Sequence, residues 1–121
     1  MVSDPYSERL AKVRQRFAQT LTHKIEDTYV ALPSLSSGVL DSVDETYRRI
    51  HAICGLAATV GFPSTGAAAS ALEGLLLTPY RARRGLTDDE MARLREALSA
   101  LSVAARLELA SAGGAGRACK R

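Results

Sequence analysis

Apolar residues recur three and four apart along most of this chain, and short polar breaks divide the pattern into four stretches that predict four helices. Leu10, Val13, Phe17, Leu21, Ile25, Thr28 and Leu32 form the stripe of a long amphipathic helix over 5–31. Ser3 or Asp4 can cap it, and Pro5 suits its first turn. Pro33, Ser34, Leu35, Ser36, Ser37 and Gly38 read as a turn. A second helix is expected over 39–60, with Val43, Tyr47, Ile50, Cys54 and Ala57 on one side. Gly61, Phe62 and Pro63 break it, because proline disfavours helix at the residue before it and starts a new one well.

The third helix is expected over 63–77. Ala67, Ala68, Ala69 and Ala71 let its backbone approach a neighbour closely, and Leu72, Leu75 and Leu76 follow. Thr78, Pro79 and Tyr80 are expected to end it, leaving 81–86 as a basic loop with Arg81, Arg83 and Arg84. Thr87, Asp88, Asp89 and Glu90 form a capping-box pattern that opens a fourth helix. Its stripe is Met91, Leu94, Leu98, Leu101, Ala105 and Leu109. Four amphipathic helices with short connections predict an all-α, antiparallel (up-down) four-helix bundle. The domain spans 1–110, and 111–121 reads as a flexible, basic, Gly/Ala-rich tail.

Composition agrees with that outline. The chain has 121 residues, enough for one domain, with 46% hydrophobic and 24% charged residues. Ala and Leu dominate the apolar set and β-branched runs are missing. No apolar run approaches the ~20 residues of a membrane span. The N-terminus lacks a basic segment followed by a hydrophobic one, so secretion is not expected. Cys54 and Cys119 lie far apart, which reads as reduced thiols in a cytoplasmic protein. The Ala/Arg-rich composition is bacterial in character. The net charge of +3 equals the contribution of Arg117, Lys120 and Arg121 in the tail. The folded part is neutral and gives no argument for nucleic acid.

His51 is the candidate reactive group. At ~100° per residue it falls about 80° from Val43, at the edge of the stripe, so the imidazole is expected half exposed. Gly55 and Ala58, one and two turns later on the same side, reduce the neighbouring surface to hydrogen and methyl, which suits a partner closing over the ring. Asp44 and Arg48 lie on the outward side. The plainer alternative is an Ala/Gly-rich core helix with an incidental histidine. His23 lies off its stripe beside Lys24 and Glu26 and reads as a solvated surface residue.

His51, Gly55, Ala57 and Gly61, followed by Phe62, resemble the histidine-containing phosphotransfer (HPt) domains of multistep phosphorelays, whose common motif is His-x-x-Lys-Gly-x-Ala-x-x-x-Gly. The resemblance extends from about Phe17 to Leu109 through the long first helix and the helix pair bounded by Gly61, Phe62 and Pro63. It implies that His51 is the phosphoacceptor, relaying a phosphoryl group between receiver-domain aspartates. Gly55 and Ala58 then give the partner clearance, while Arg48 and Cys54 belong to the phosphate environment. It also implies a response-regulator receiver domain and a hybrid sensor histidine kinase as partners. The magnesium ion sits on the receiver, and the chain itself needs no metal or cofactor. A phosphocarrier rather than a turnover enzyme, monomeric, is the expectation.

One position departs from the motif. Cys54 stands where the family usually has lysine. It reads first as a small packed residue, and a redox-sensitive role has only adjacency to His51 behind it. Arg48 could supply the missing cation or be an ordinary solvated arginine. The departure keeps a second reading alive, a non-phosphorylated HPt-like bundle that binds and regulates a receiver domain or sensor kinase. Two enzyme-like readings fare worse. A histidine kinase usually has an acidic residue directly after its histidine, whereas Ala52 follows here and no ATP-binding domain fits in the length. A metal-site bundle needs Glu-x-x-His pairs, and neither His23 nor His51 has one.

Overall fold

The computed structural model describes residues 5–36 and 40–118, the side chains of residues 40 and 112–118 excepted. Four helices follow in order: α1 (Pro5–Leu35), α2 (Leu40–Val60), α3 (Pro63–Ala82) and α4 (Asp88–Ala118). α1 packs on α2, α2 on α3, α3 on α4, and α4 back on α1, while diagonal pairs do not touch among the described residues. This is the up-down four-helix bundle that the four stripes predict. Phe17, Leu21, Ile50, Ile53, Leu72, Leu76, Leu94, Leu98 and Leu101 fill its core.

Two helices run further than local sequence signals allow. α1 passes through Pro33 to Leu35, and α3 passes through Pro79 to Ala82. A helix-interior proline removes a hydrogen bond and crowds the preceding turn, at a cost of about 3 kcal/mol. Tertiary packing outweighs that here. Leu35 is fully buried and its carbonyl accepts a 2.8 Å bond from the Leu86 amide. Pro79 is itself buried at the core side of α3. Hence the expected turn at 33–38 starts later, with residues 37–39 outside the described part. The expected basic loop shrinks to 83–87, and Arg81 belongs to the last turn of α3.

Each junction has a local cause. Gly61 takes a left-handed φ of 77°, and the Phe62 amide reaches back to the Ala57 carbonyl at 2.9 Å, closing α2 in a Schellman-type end. Phe62 then turns inward, edge-on to Phe17 with ring centroids 5.2 Å apart. α3 starts on Pro63 without a side-chain cap of its own. Glu108 of α4 substitutes, accepting the Ser64 and Thr65 amides at 3.0 and 2.6 Å. Burial pushes the Glu108 carboxyl up, but the amides of Thr65 and Ser64 outweigh it and leave it below the usual carboxylate range.

α3 ends at Arg83, which adopts φ 55° and donates to the Tyr80 carbonyl, while Arg84 donates to Pro79. The capping box at α4 is present as expected: Glu90 N–H donates to Thr87 Oγ1 at 3.1 Å, and Thr87 N–H to Glu90 Oε1 at 2.9 Å. Glu90 does more than complement the helix end, because Arg84 grips both its oxygens at 2.8 and 3.0 Å. Arg84, in the basic loop, thereby ties that loop to the start of α4. The helical backbone of α4 continues past Ser111 to Ala118, beyond the helix end read from its stripe. Cys119, Lys120 and Arg121 lie outside the described residues.

The stripes themselves need two corrections. In α1, Leu10 is only half-buried and Val13 is exposed. In α2 the buried set is Val43, Thr46, Ile50, Ile53, Ala57 and Val60, with Tyr47 and Cys54 packed at its margin. At ~100° per residue this centre lies about 50° further from His51 than the sequence stripe.

Candidate functional site

That rotation sets the exposure of the histidine. The side chain of His51 is 71% accessible, so it stands on the surface of α2 and not half-sunk at the stripe's edge. Its Nδ1 lies 2.5 Å from Oε2 of Glu73 on α3. Glu73 is the only charged residue of α3 before Arg81. The His51 hydrogen bond holds the Glu73 carboxyl below the usual carboxylate range, against an opposing push from burial and with further help from Cys54 and Tyr47. An ionised carboxylate only accepts, so Nδ1 is the donor and carries the proton. Nε2 is then left with a free lone pair whenever the ring is neutral.

Cys54 is drawn into the same cluster. Its Sγ donates to Glu73 Oε1 at 3.6 Å from a half-buried position. Burial pushes the thiol pKa up, and the negative charge of Glu73 pushes it further. A thiol with a raised pKa is a poor nucleophile and a poor redox sensor, so its environment favours the packed, hydrogen-bonding role over the redox one. Tyr47, one turn before His51, lies nearly parallel to the imidazole, with centroids 6.3 Å apart and 16° between planes. Tyr80, from the last turn of α3, stacks on Tyr47 at 4.1 Å and 14°. Burial and then Glu73 raise the Tyr47 phenol, so it stays protonated.

The remaining sequence candidates surround the ring without touching it. Gly55 and Ala58 are exposed, and a Cβ built at Gly55 would meet nothing within 4 Å. Arg48 is exposed on the outward side and makes no ion pair among the described residues. His23 is exposed, as expected. No group of three His, Cys, Asp or Glu side chains suited to a metal ion occurs among the described residues. No helix is long and apolar enough to cross a membrane.

Sequence reasoning missed Glu73, Tyr47 and Tyr80 as parts of the site. Glu73 had one signal, a lone carboxylate in an otherwise uncharged helix. Tyr47 was read as core, and Tyr80 was assigned to a helix end that does not exist.

The model of the Hpt domain matches residues 12–104. The chain belongs to the Hpt domain family. No curated protein and no solved structure shows a significant match to it. Hpt domains are phosphocarriers of two-component systems, where they meet receiver domains and kinases, so this chain has a phosphotransfer role of that kind. The matched span covers α2 and α3 completely, and with them His51, Cys54, Gly55, Ala58 and Glu73.

Proposed function

We propose that this Hpt protein relays a phosphoryl group between receiver-domain aspartates in a multistep phosphorelay, with His51 as the phosphoacceptor. The observation that carries this reading is the exposed imidazole whose Nδ1 is tied to an ionised carboxylate. In that arrangement the Nε2 lone pair attacks the phosphorus of a phospho-aspartate in line. The P–N bond forms, the P–O bond breaks, and its electron pair leaves with the aspartate carboxylate. No proton has to leave Nε2. The phosphorylated ring keeps its Nδ1 proton and so carries positive charge, which Glu73 offsets at hydrogen-bond distance. In the return step an aspartate of a second receiver attacks, and the imidazole departs neutral.

Catalysis of this type is mainly positioning and charge neutralisation. Glu73 positions the ring, and Gly55 with Ala58 leaves room for the receiver to approach Nε2. The receiver is expected to bring the magnesium ion that neutralises the phosphoryl oxygens. Arg48 lies exposed on α2 one turn before His51, and we assign it a contact to the phosphoryl group or to the partner. A monomer working in the cytoplasm between a hybrid sensor kinase and a response regulator fits this chemistry.

Cys54, in the family's lysine position, favours a second reading: a bundle that occupies a receiver or kinase without carrying phosphate. Incubation with phosphorylated receiver domains separates the two. Wild type is expected to take up an acid-labile, alkali-stable label, as a phosphoramidate is, and His51→Gln to take up none. Binding to a receiver with no label on either protein would sink the relay and leave regulation by occupancy.

A further inference from the structure

Tyr47 enters neither the family motif nor the chemistry above, yet it stacks beside one partner of the reactive pair and interacts electrostatically with the other. It sits on α2 one turn before His51, and helical side chains lean toward the preceding turn. The imidazole therefore lies back toward the Tyr47 ring, near-parallel to it at 6.3 Å. Tyr80 packs against Tyr47 at 4.1 Å and fixes that ring from α3. The Tyr47 phenol interacts electrostatically with Glu73, whose carboxylate takes the Cys54 thiol.

The geometry points to Tyr47 as a positioning residue for His51, acting with Tyr80 behind it: its ring confines the imidazole and its hydroxyl fixes the carboxylate that holds the Nδ1 proton. Two hydrogen bonds hold one carboxylate, Nδ1 on Oε2 and Sγ on Oε1, and the Tyr47 phenol interacts with it as a third polar neighbour. A carboxylate held from several sides cannot swing away from Nδ1 toward solvent. A lone surface Glu–His pair would exchange freely with water and leave the ring free to turn. Here the ring is pinned in the tautomer that exposes Nε2, although most of the side chain is open to solvent.

The inference rests on His51 being the phosphoacceptor, but its first readout does not. The imidazole tautomer is read by two-bond proton–nitrogen NMR on the histidine-labelled full chain, at alkaline pH, for wild type, Tyr47→Phe and Tyr47→Leu. Wild type is expected almost wholly as the Nδ1–H form. Tyr47→Leu should show both tautomers in exchange, and Tyr47→Phe, which keeps the stack on Tyr80, an intermediate mixture.

In phosphotransfer from a phosphorylated receiver, Tyr47→Leu should lower the saturating rate about tenfold. Tyr47→Phe should recover most of that rate, and the half-saturating receiver concentration should stay unchanged. If Tyr47→Leu does not fold, Tyr47→Phe carries the test alone through its tautomer mixture. A wild-type tautomer signature in a folded variant overturns the proposal, as does a loss confined to half-saturation. Label uptake by His51→Gln would defeat the relay reading while leaving the tautomer result to stand or fall separately.

Discussion

Nδ1 of His51 on α2 and Oε2 of Glu73 on α3 lie 2.5 Å apart, joining the exposed imidazole to the one acid in the small-residue helix beside it. The pairing depends on close helix approach. α2 and α3 are close beside Ala57, where a Cβ built at Gly66 would make ordinary van der Waals contact at 3.6 Å. On the outer side of α2, Gly55 and Ala58 keep the surface around the ring clear.

Glu73 also controls the thiol beside it. Burial and the Glu73 charge raise the Cys54 pKa above its ordinary value, so less thiolate is present at any given pH. Alkylation by iodoacetamide at mildly alkaline pH should run slower for Cys54 than for an exposed cysteine. Glu73→Gln removes the charge and should accelerate it, while also lowering phosphotransfer about tenfold or more. Equal alkylation rates in wild type and Glu73→Gln would show that the carboxylate does not govern the thiol.

Gly55 offers a clean separation of folding from docking. The space above it is open, so Gly55→Ala adds helix propensity without a clash and should stabilise the bundle by about 0.5–1 kcal/mol. Gly55→Leu should also fold. Phosphotransfer should fall with side-chain size, the loss appearing as a higher half-saturating receiver concentration. A Gly55→Leu variant with wild-type kinetics would remove the clearance role. Thermal melts and transfer kinetics on the same three proteins decide it.

Glu90 makes an acid-side prediction far from the site. Its carboxyl is lowered to about 2, first by the Arg84 hydrogen bonds and then by the Thr87 amide, against burial. A depressed folded-state pKa contributes stability that is fully present above the ordinary carboxylate range and lost as pH falls through about 2. Glu90→Gln should therefore lower the melting temperature at pH 7, and the gap from wild type should close as pH falls from 5 toward 2. Arg84 is 40% accessible, so solvent screening keeps the effect to about 1–2 kcal/mol. A gap that is constant with pH would assign the loss to packing.

Much of the architecture was legible before any coordinates. The stripes from Phe17 to Leu32 and from Met91 to Leu109 mark the buried faces of α1 and α4. Thr87 and Glu90 pair as their spacing predicts. Gly61 sits where the backbone needs a positive φ, and His51 points away from the core. All of these follow from rules that act within a few residues: a 3.6-residue period, a cap, a left-handed turn.

What local rules could not reach was decided by tertiary contacts. Pro33 and Pro79 read as helix ends, but the burial of Leu35 and of Pro79 itself outweighs the local cost and carries both helices onward. The extra turn of α3 is what sets Tyr80 against Tyr47. The meeting of Glu73 with His51, across 22 positions and two helices, depends on how far each helix is rotated and how the two slide past each other. The sequence by itself determined four helices, the breaks at Gly61 and Thr87, and a half-exposed histidine at the edge of its stripe. Only the packed bundle decided which carboxylate and which rings surround that histidine, because rotation and axial register are set by the whole core and not by any one stretch of chain.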